Sequence, residues 1–115
     1  MSFVPNASNA TITSAKLEYL LVKNTGKAKF FRLFGFDPAR PQELERALRW
    51  HVRNRHYDRD MPTAHGVKYE VKCSAPSPDG RDPCILSIWI IDAGQMVPRF
   101  VTAYGNPSLG IASRA

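Results

Sequence analysis

Residues 66–92 read GVKYEVKCSAPSPDGRDPCILSIWIID, and their alternation decides the fold. Val67, Tyr69, Val71 and Cys73 alternate with Lys68, Glu70, Lys72 and Ser74. A period of two belongs to a strand with one apolar face and one charged face. After a loop holding Pro78-Asp79-Gly80, residues 85–92 run almost continuously apolar, as a central strand buried on both sides does. Together the two segments predict a hairpin. With Cys73 opposite Cys84, Val71 faces Leu86, Tyr69 faces Ile88 and Val67 faces Ile90. The same register sets Lys68 beside Trp89 and Glu70 beside Ser87 on the charged face.

The pattern extends outward in both directions. Asp92-Ala93-Gly94 turns the chain, and Arg99 to Tyr104 forms a third strand before the breaker Gly105-Asn106-Pro107. Upstream, Thr13 or Ser14 caps a short helix with Leu17, Leu20 and Leu21 on one face. A second helical turn carries Phe30, Phe31, Leu33 and Phe34 and ends at Gly35. A third helix starts near Pro41, with Glu43 and Glu45 in its first turn, where carboxylates suit the dipole. Leu44, Ala47, Leu48 and His51 form its apolar stripe. Residues 54–66, NRHYDRDMPTAHG, lose all periodicity and read as a polar loop. The expected fold is α+β: N-terminal helices packed on a C-terminal antiparallel sheet of at least three strands joined as a meander. One domain over 1–115 is expected, with an irregular lead-in at 1–12, helices within 13–54, the sheet within 66–104 and a tail at 105–115.

Sixteen Lys and Arg against ten Asp and Glu leave a net charge of +6. That balance serves solubility, and it also suits a polyanion such as RNA. No stretch nears the roughly 20 apolar residues of a membrane span, and the basic residues are interleaved with acids rather than massed on an amphipathic helix. No membrane contact is expected. The first residues lack the basic start and apolar run of a signal peptide. A cytoplasmic protein and a domain secreted within a larger toxin would both look this way. No CxxC or HExxH is present and the three histidines are scattered, so neither metal nor cofactor is expected. Cys73 and Cys84 flank one loop, and free thiols are the expected state.

Chemistry-bearing residues fall mostly in the predicted sheet. Lys68 and Glu70 project together, with Ser87 and Trp89 beside them; the third strand adds Arg99, Thr102 and Tyr104. A one-residue slip decides which of these share a face. A cation, a carboxylate, hydroxyls and an indole suit phosphate and base contacts. A solvated face with a Lys–Glu pair accounts for the same pattern. His51 reads either as a core-edge histidine or as an acid or base. Lys27 and Lys29 stand near a helix start, where backbone N–H groups attract phosphate, or merely on a solvated flank.

SAKLEYLL, GKAKFFRLFGF, ELERALRWH, GVKYEV, WIID and PRFVTAYG together resemble a family of small bacterial domains. Its members occur alone or at the C-terminal ends of large secreted toxin-like proteins. The resemblance spans roughly residues 10 to 105. The ending RFVTAY is also similar to the last strand of toxin ribonucleases of the barnase, EndoU, colicin and RelE type, where Thr-x-Tyr precedes Pro; here Gly105 takes that place. The resemblance implies a metal-independent ribonuclease whose partners are RNA and a cognate immunity or antitoxin protein. That fold keeps its frame while changing its catalytic residues, so roles must come from chemistry. Glu70 or His51 would be the base, and His51 or Tyr104 the acid. Lys68 and Arg99 would hold the phosphate, with Thr102 hydrogen-bonding to it, and Lys27, Lys29 and Trp89 would bind substrate. A nucleic-acid-binding or toxin-neutralising module without chemistry is the alternative.

Overall fold

The alternating segment and the apolar run do pair as antiparallel strands, in a computed structural model that describes residues 2–22 and 25–105. Three helices come first: α1 (Ser14–Val22), α2 (Gly26–Leu33) and α3 (Pro41–Asn54). Four strands follow, β1 (Tyr57–Thr63), β2 (Gly66–Ser74), β3 (Cys84–Asp92) and β4 (Arg99–Gly105). They form one antiparallel sheet in the order β1-β2-β3-β4, so the fold is α+β with a meander. A 3₁₀ turn at Ala7–Asn9 lies within the expected irregular lead-in. Beyond Gly105, the expected tail lies outside the described residues.

Local chemistry explains the helices. Thr25 caps α2, its hydroxyl accepting from the Ala28 N–H at 3.1 Å. Pro41 opens α3, where its missing N–H has no intrahelical partner to lose. Leu17, Leu20 and Leu21 of α1, Phe31 of α2 and Leu44, Leu48 and Val52 of α3 join one buried cluster with the sheet. Leu33, expected among the apolar residues of α2, points to solvent instead at 61% exposure.

Two expectations about the sheet are corrected. The stretch read as a polar loop contains β1. Its sequence, YDRDMPT, lacks apolar alternation because β1 is an edge strand, mostly exposed, where Asp, Arg and Pro are tolerated. The register of β2 on β3 also differs by one residue from the expected one. Cys73 pairs with Ile85, Val71 with Ser87, Tyr69 with Trp89 and Val67 with Ile91. Lys68 therefore lies opposite Ile90 and Glu70 opposite Ile88, not beside Trp89 and Ser87. β3 is apolar on both sides, so its polarity could not fix the register. Burial of the large indole did: Trp89 is 0% exposed, whereas Ile88 is half-buried on the other face.

Each face now has a definite membership. Tyr69, Val71, Ile85, Trp89, Phe100 and Ala103 meet the helices in the core. The opposite face carries Lys68, Glu70 and Lys72 of β2 with Leu86, Ile88 and Ile90 of β3; Leu86 and Ile90, though buried, stand outside the core cluster. In β4 a bulge decides the outcome. Trp89 pairs with Phe100 but Ile88 pairs with Thr102, leaving Val101 as the extra residue. Without it, Arg99 and Thr102, three apart, would project to opposite sides. With it, Arg99, Thr102 and Tyr104 share the face of Lys68 and Glu70.

Gly66 starts β2 at φ 144°, and an added Cβ would lie 2.3 Å from the Ile91 carbonyl oxygen. Backbone cannot retreat there without breaking the β2–β3 register. Gly66→Ala is expected to destabilise by about 3 kcal/mol, combining strain with overpacking. Urea unfolding of the variant measures this. A loss below about 0.5 kcal/mol would show that the strand start can adjust.

Candidate functional site

His51, the third-helix residue proposed for acid or base work, sits on the helix side of the sheet at 0% exposure. The Trp89 indole N–H donates to Ser87 Oγ at 2.9 Å, and Ser87 Oγ lies 2.8 Å from His51 Nδ1. His51 Nε2 lies 2.9 Å from the Cys73 carbonyl oxygen. A carbonyl only accepts, so Nε2 carries the proton and Nδ1 is left as acceptor. The Ser87 hydroxyl must then donate to Nδ1 while accepting from Trp89. Every donor and acceptor in this chain has a partner. Ser87 and His51 have the contact of a nucleophile and its base, yet neither reaches solvent. Their contacts join α3 to β3 and β2.

Burial lowers the His51 pKa to about 4, the Cys73 carbonyl opposing and the Arg55 charge assisting. An unfolded histidine takes its proton near its ordinary pKa of 6.5, so the unfolded chain binds it first as pH falls. Stability should be full above about pH 6.5 and decline by about 3 kcal/mol toward pH 4. Urea unfolding across that range tests this. His51→Gln should be less stable but flatter with pH; an unchanged slope in the variant would assign the proton to another group.

Trp89 is likewise sealed, so its indole offers no stacking surface in this arrangement. The remaining candidates gather on the opposite face. Three rows cross the sheet there: Met61, Lys68, Ile90 and Arg99; Arg59, Glu70, Ile88 and Thr102; and Lys72, Leu86 and Tyr104. Glu70 and Thr102 are thus two strands apart, about 10 Å between backbones, with Ile88 between them. Arg59 reaches Glu70 at 3.9 Å, Lys72 reaches Asp58 at 3.2 Å, and Arg99 grips Asp92 through two hydrogen bonds of 2.7 and 3.0 Å. That grip holds the Asp92 carboxyl below the usual range and raises Arg99. Lys68 has no ion-pair partner among the described residues.

The helices supply one more group to this face. Lys27, in the first turn of α2, donates from Nζ to Thr102 Oγ1 at 3.1 Å. Its ammonium lies 5.6 Å from the Tyr104 ring centroid and 5.8 Å from that of Tyr19 on α1, within reach of cation–π attraction. Gly105 permits this approach of α2 to β4, because a Cβ there would lie 2.5 Å from the Phe30 ring. Lys29 is exposed on the same helix and joins no contact of the cluster among the described residues. Lys27, Thr102 and Tyr104 therefore meet directly, Glu70 and Lys68 share their face, Arg99 is tied to Asp92, and His51 and Trp89 lie on the other side. Arg59 and Tyr19 escaped sequence reasoning. Arg59 sits in the unrecognised edge strand; Tyr19 was legible as a residue off the leucine stripe of α1.

Among the described residues no three His, Cys, Asp or Glu side chains converge as metal ligands do. No helix among them is long and apolar enough to cross a membrane. Cys73 and Cys84 are both free.

Residues 3–107 match the family described as a domain of unknown function, DUF6883, and the chain belongs to that family. No curated protein matches it. Among solved structures, it is similar to a chain of a contact-dependent growth inhibition toxin–immunity protein complex from Klebsiella pneumoniae 342. The TM-score is 0.67 at 16% identity, over 83% of this chain and 98% of that one. At that identity the likeness is one of fold.

Proposed function

We propose that this domain is a toxin module that cleaves RNA without a metal, through the 2′-hydroxyl next to the broken bond. The observation that carries the reading is Lys27. Its ammonium is held on Thr102 between two tyrosine rings at the β4 edge, and Thr102 and Tyr104 share their side of the sheet with Glu70 and Lys68. A cation, a hydroxyl, a carboxylate and a phenol on one open face make up the groups that phosphoryl transfer of this kind needs. In the proposed reaction Glu70 takes the proton of the 2′-OH, and the 2′-oxygen forms a bond to phosphorus. The P–O5′ bond breaks and the Tyr104 phenol protonates the leaving oxygen, giving a 2′,3′-cyclic phosphate and a 5′-hydroxyl. Lys27, Lys68 and Thr102 hold the phosphate, and the net charge of +6 favours its approach. The fold likeness to a chain from a toxin–immunity complex fits a domain carried within a larger secreted protein and paired with a cognate immunity protein.

A second reading rests on the ion pairs. Arg59–Glu70, Lys72–Asp58 and Arg99–Asp92 neutralise much of the face, which suits recognition of a protein more than of bare phosphate. Under it the domain is a binding or toxin-neutralising module. The complex that holds the similar chain contains both kinds of protein.

Cleavage of total RNA by the purified domain in EDTA separates the two. Cyclic-phosphate ends are expected, and intact RNA with folded protein at micromolar concentration would sink the enzymatic reading. Binding should also weaken steeply between roughly 50 and 200 mM salt; salt-insensitive binding would point to a protein partner. Tyr104→Phe is the sharpest variant, because the hydroxyl has no hydrogen bond among the described residues. It should lower cleavage about 100-fold or more while changing stability by less than about 0.5 kcal/mol. A pure stability loss would end the catalytic assignment of this residue.

A further inference from the structure

A groove of about 460 Å³ runs between α1 and β4, beside the Lys27–Thr102 contact. Its floor is apolar, made by Leu20, Phe100 and Val101, and its rim carries Lys16, Tyr19 and Lys27. Tyr19 is 41% exposed, a large ring left open to solvent. Lys16 stands one turn before it, so both project from the same side of α1. An exposed aromatic ring beside an apolar floor, with two lysines among the lining residues, is more than a solvated flank requires.

We infer that this groove is a nucleotide subsite, taking the base and the next phosphate of a single RNA strand. It rests on the ribonuclease reading for the position of the scissile phosphate, which would sit at Lys27 and Thr102. The base adjoining that phosphate enters the groove and stacks on Tyr19, as unpaired bases do on aromatic side chains. Its apolar floor accepts the ring without demanding a hydrogen-bond pattern, so the subsite prefers a splayed-out base over a paired one rather than one base over another. Lys16 meets the following phosphate. Lys27 belongs to both halves: one of its three N–H groups is committed to Thr102 Oγ1, and the others remain for phosphate oxygens. Its place between the Tyr19 and Tyr104 rings couples the groove to the reacting face. Double-stranded RNA, whose bases are stacked away, gains nothing from the groove.

The test uses the full chain with Tyr19→Ala, Tyr19→Phe and Lys16→Gln, each checked by thermal unfolding. The probe is a fluorescent 2′-O-methyl trinucleotide, which lacks the attacking hydroxyl and so reports binding without chemistry. Tyr19→Ala should weaken its binding by about tenfold or more, Tyr19→Phe should restore it, and Lys16→Gln should reduce the salt dependence by about one counterion. On cleavable single-stranded RNA, Tyr19→Ala should raise KM with kcat little changed. Binding and KM unaltered in both Tyr19→Ala and Lys16→Gln, with wild-type cleavage intact, would overturn the subsite and leave the ribonuclease reading standing. Tyr19-dependent binding without any cleavage would uphold the subsite and discard the ribonuclease reading. Equal affinity for a duplex and a single strand would also overturn it.

Discussion

The indole N–H of Trp89 lies beyond the reach of water and must find an acceptor, which Ser87 Oγ supplies two residues away on the same strand. This contact ties the rest together. It takes one of the two lone pairs of Ser87 Oγ, and the hydroxyl proton goes to His51 Nδ1, which the Cys73 carbonyl leaves as an acceptor. His51 then gives its own proton to the Cys73 carbonyl of β2. One indole, one hydroxyl and one imidazole thereby bind α3, β3 and β2 in a single register. A slip of β3 by one residue would bury Ile88 in place of Trp89 and leave His51 Nδ1 without its Ser87 partner. Removing either partner would strand a polar group where water cannot reach it, a cost of about 1–3 kcal/mol.

Because the register is fixed on the inner face, the outer face has no freedom of its own. Lys68 and Glu70 are forced outward by the burial of Tyr69 and Val71. The bulge at Val101 performs the corresponding service for β4, bringing Arg99 to the side of Thr102 and Tyr104. α2 reaches round the β4 edge to add Lys27. The polar residues of RFVTAY thus have different fates. Arg99 closes the turn by pairing with Asp92, whereas Thr102 and Tyr104 meet a lysine from a helix. The chemistry-bearing surface is a by-product of packing on the other side.

Much of this was legible in the sequence. The leucine stripe of α1, Pro41 and the acidic start of α3, and the alternation of β2 each reflect local rules that tertiary structure did not override. Two things were not. β1 hid because an exposed edge strand needs no apolar alternation, and YDRDMPT has none. The hairpin register hid because β3 is apolar on both sides, so a one-residue slip changes nothing that hydropathy records. That slip moved Trp89 and Ser87 from the charged face to the core. His51 could be placed on the apolar stripe of its helix, but its partners come from strands 22 and 36 residues away. Lys27 was visible as a basic residue near a helix start; its contact with Thr102 spans 75 residues and has no local signal.

One face of the sheet is sealed against the helices and holds the fold; the other is the face proposed to meet RNA. Backbone and indole chemical-shift mapping by NMR, with a 2′-O-methyl RNA trinucleotide as an uncleavable probe, tests that division most directly. Perturbations should concentrate at Lys27, Lys68, Glu70, Thr102 and Tyr104 and extend to Tyr19. The Trp89 indole and the His51 ring should stay unmoved. Shifts confined to the β1 edge, or none at saturating probe, would contradict it.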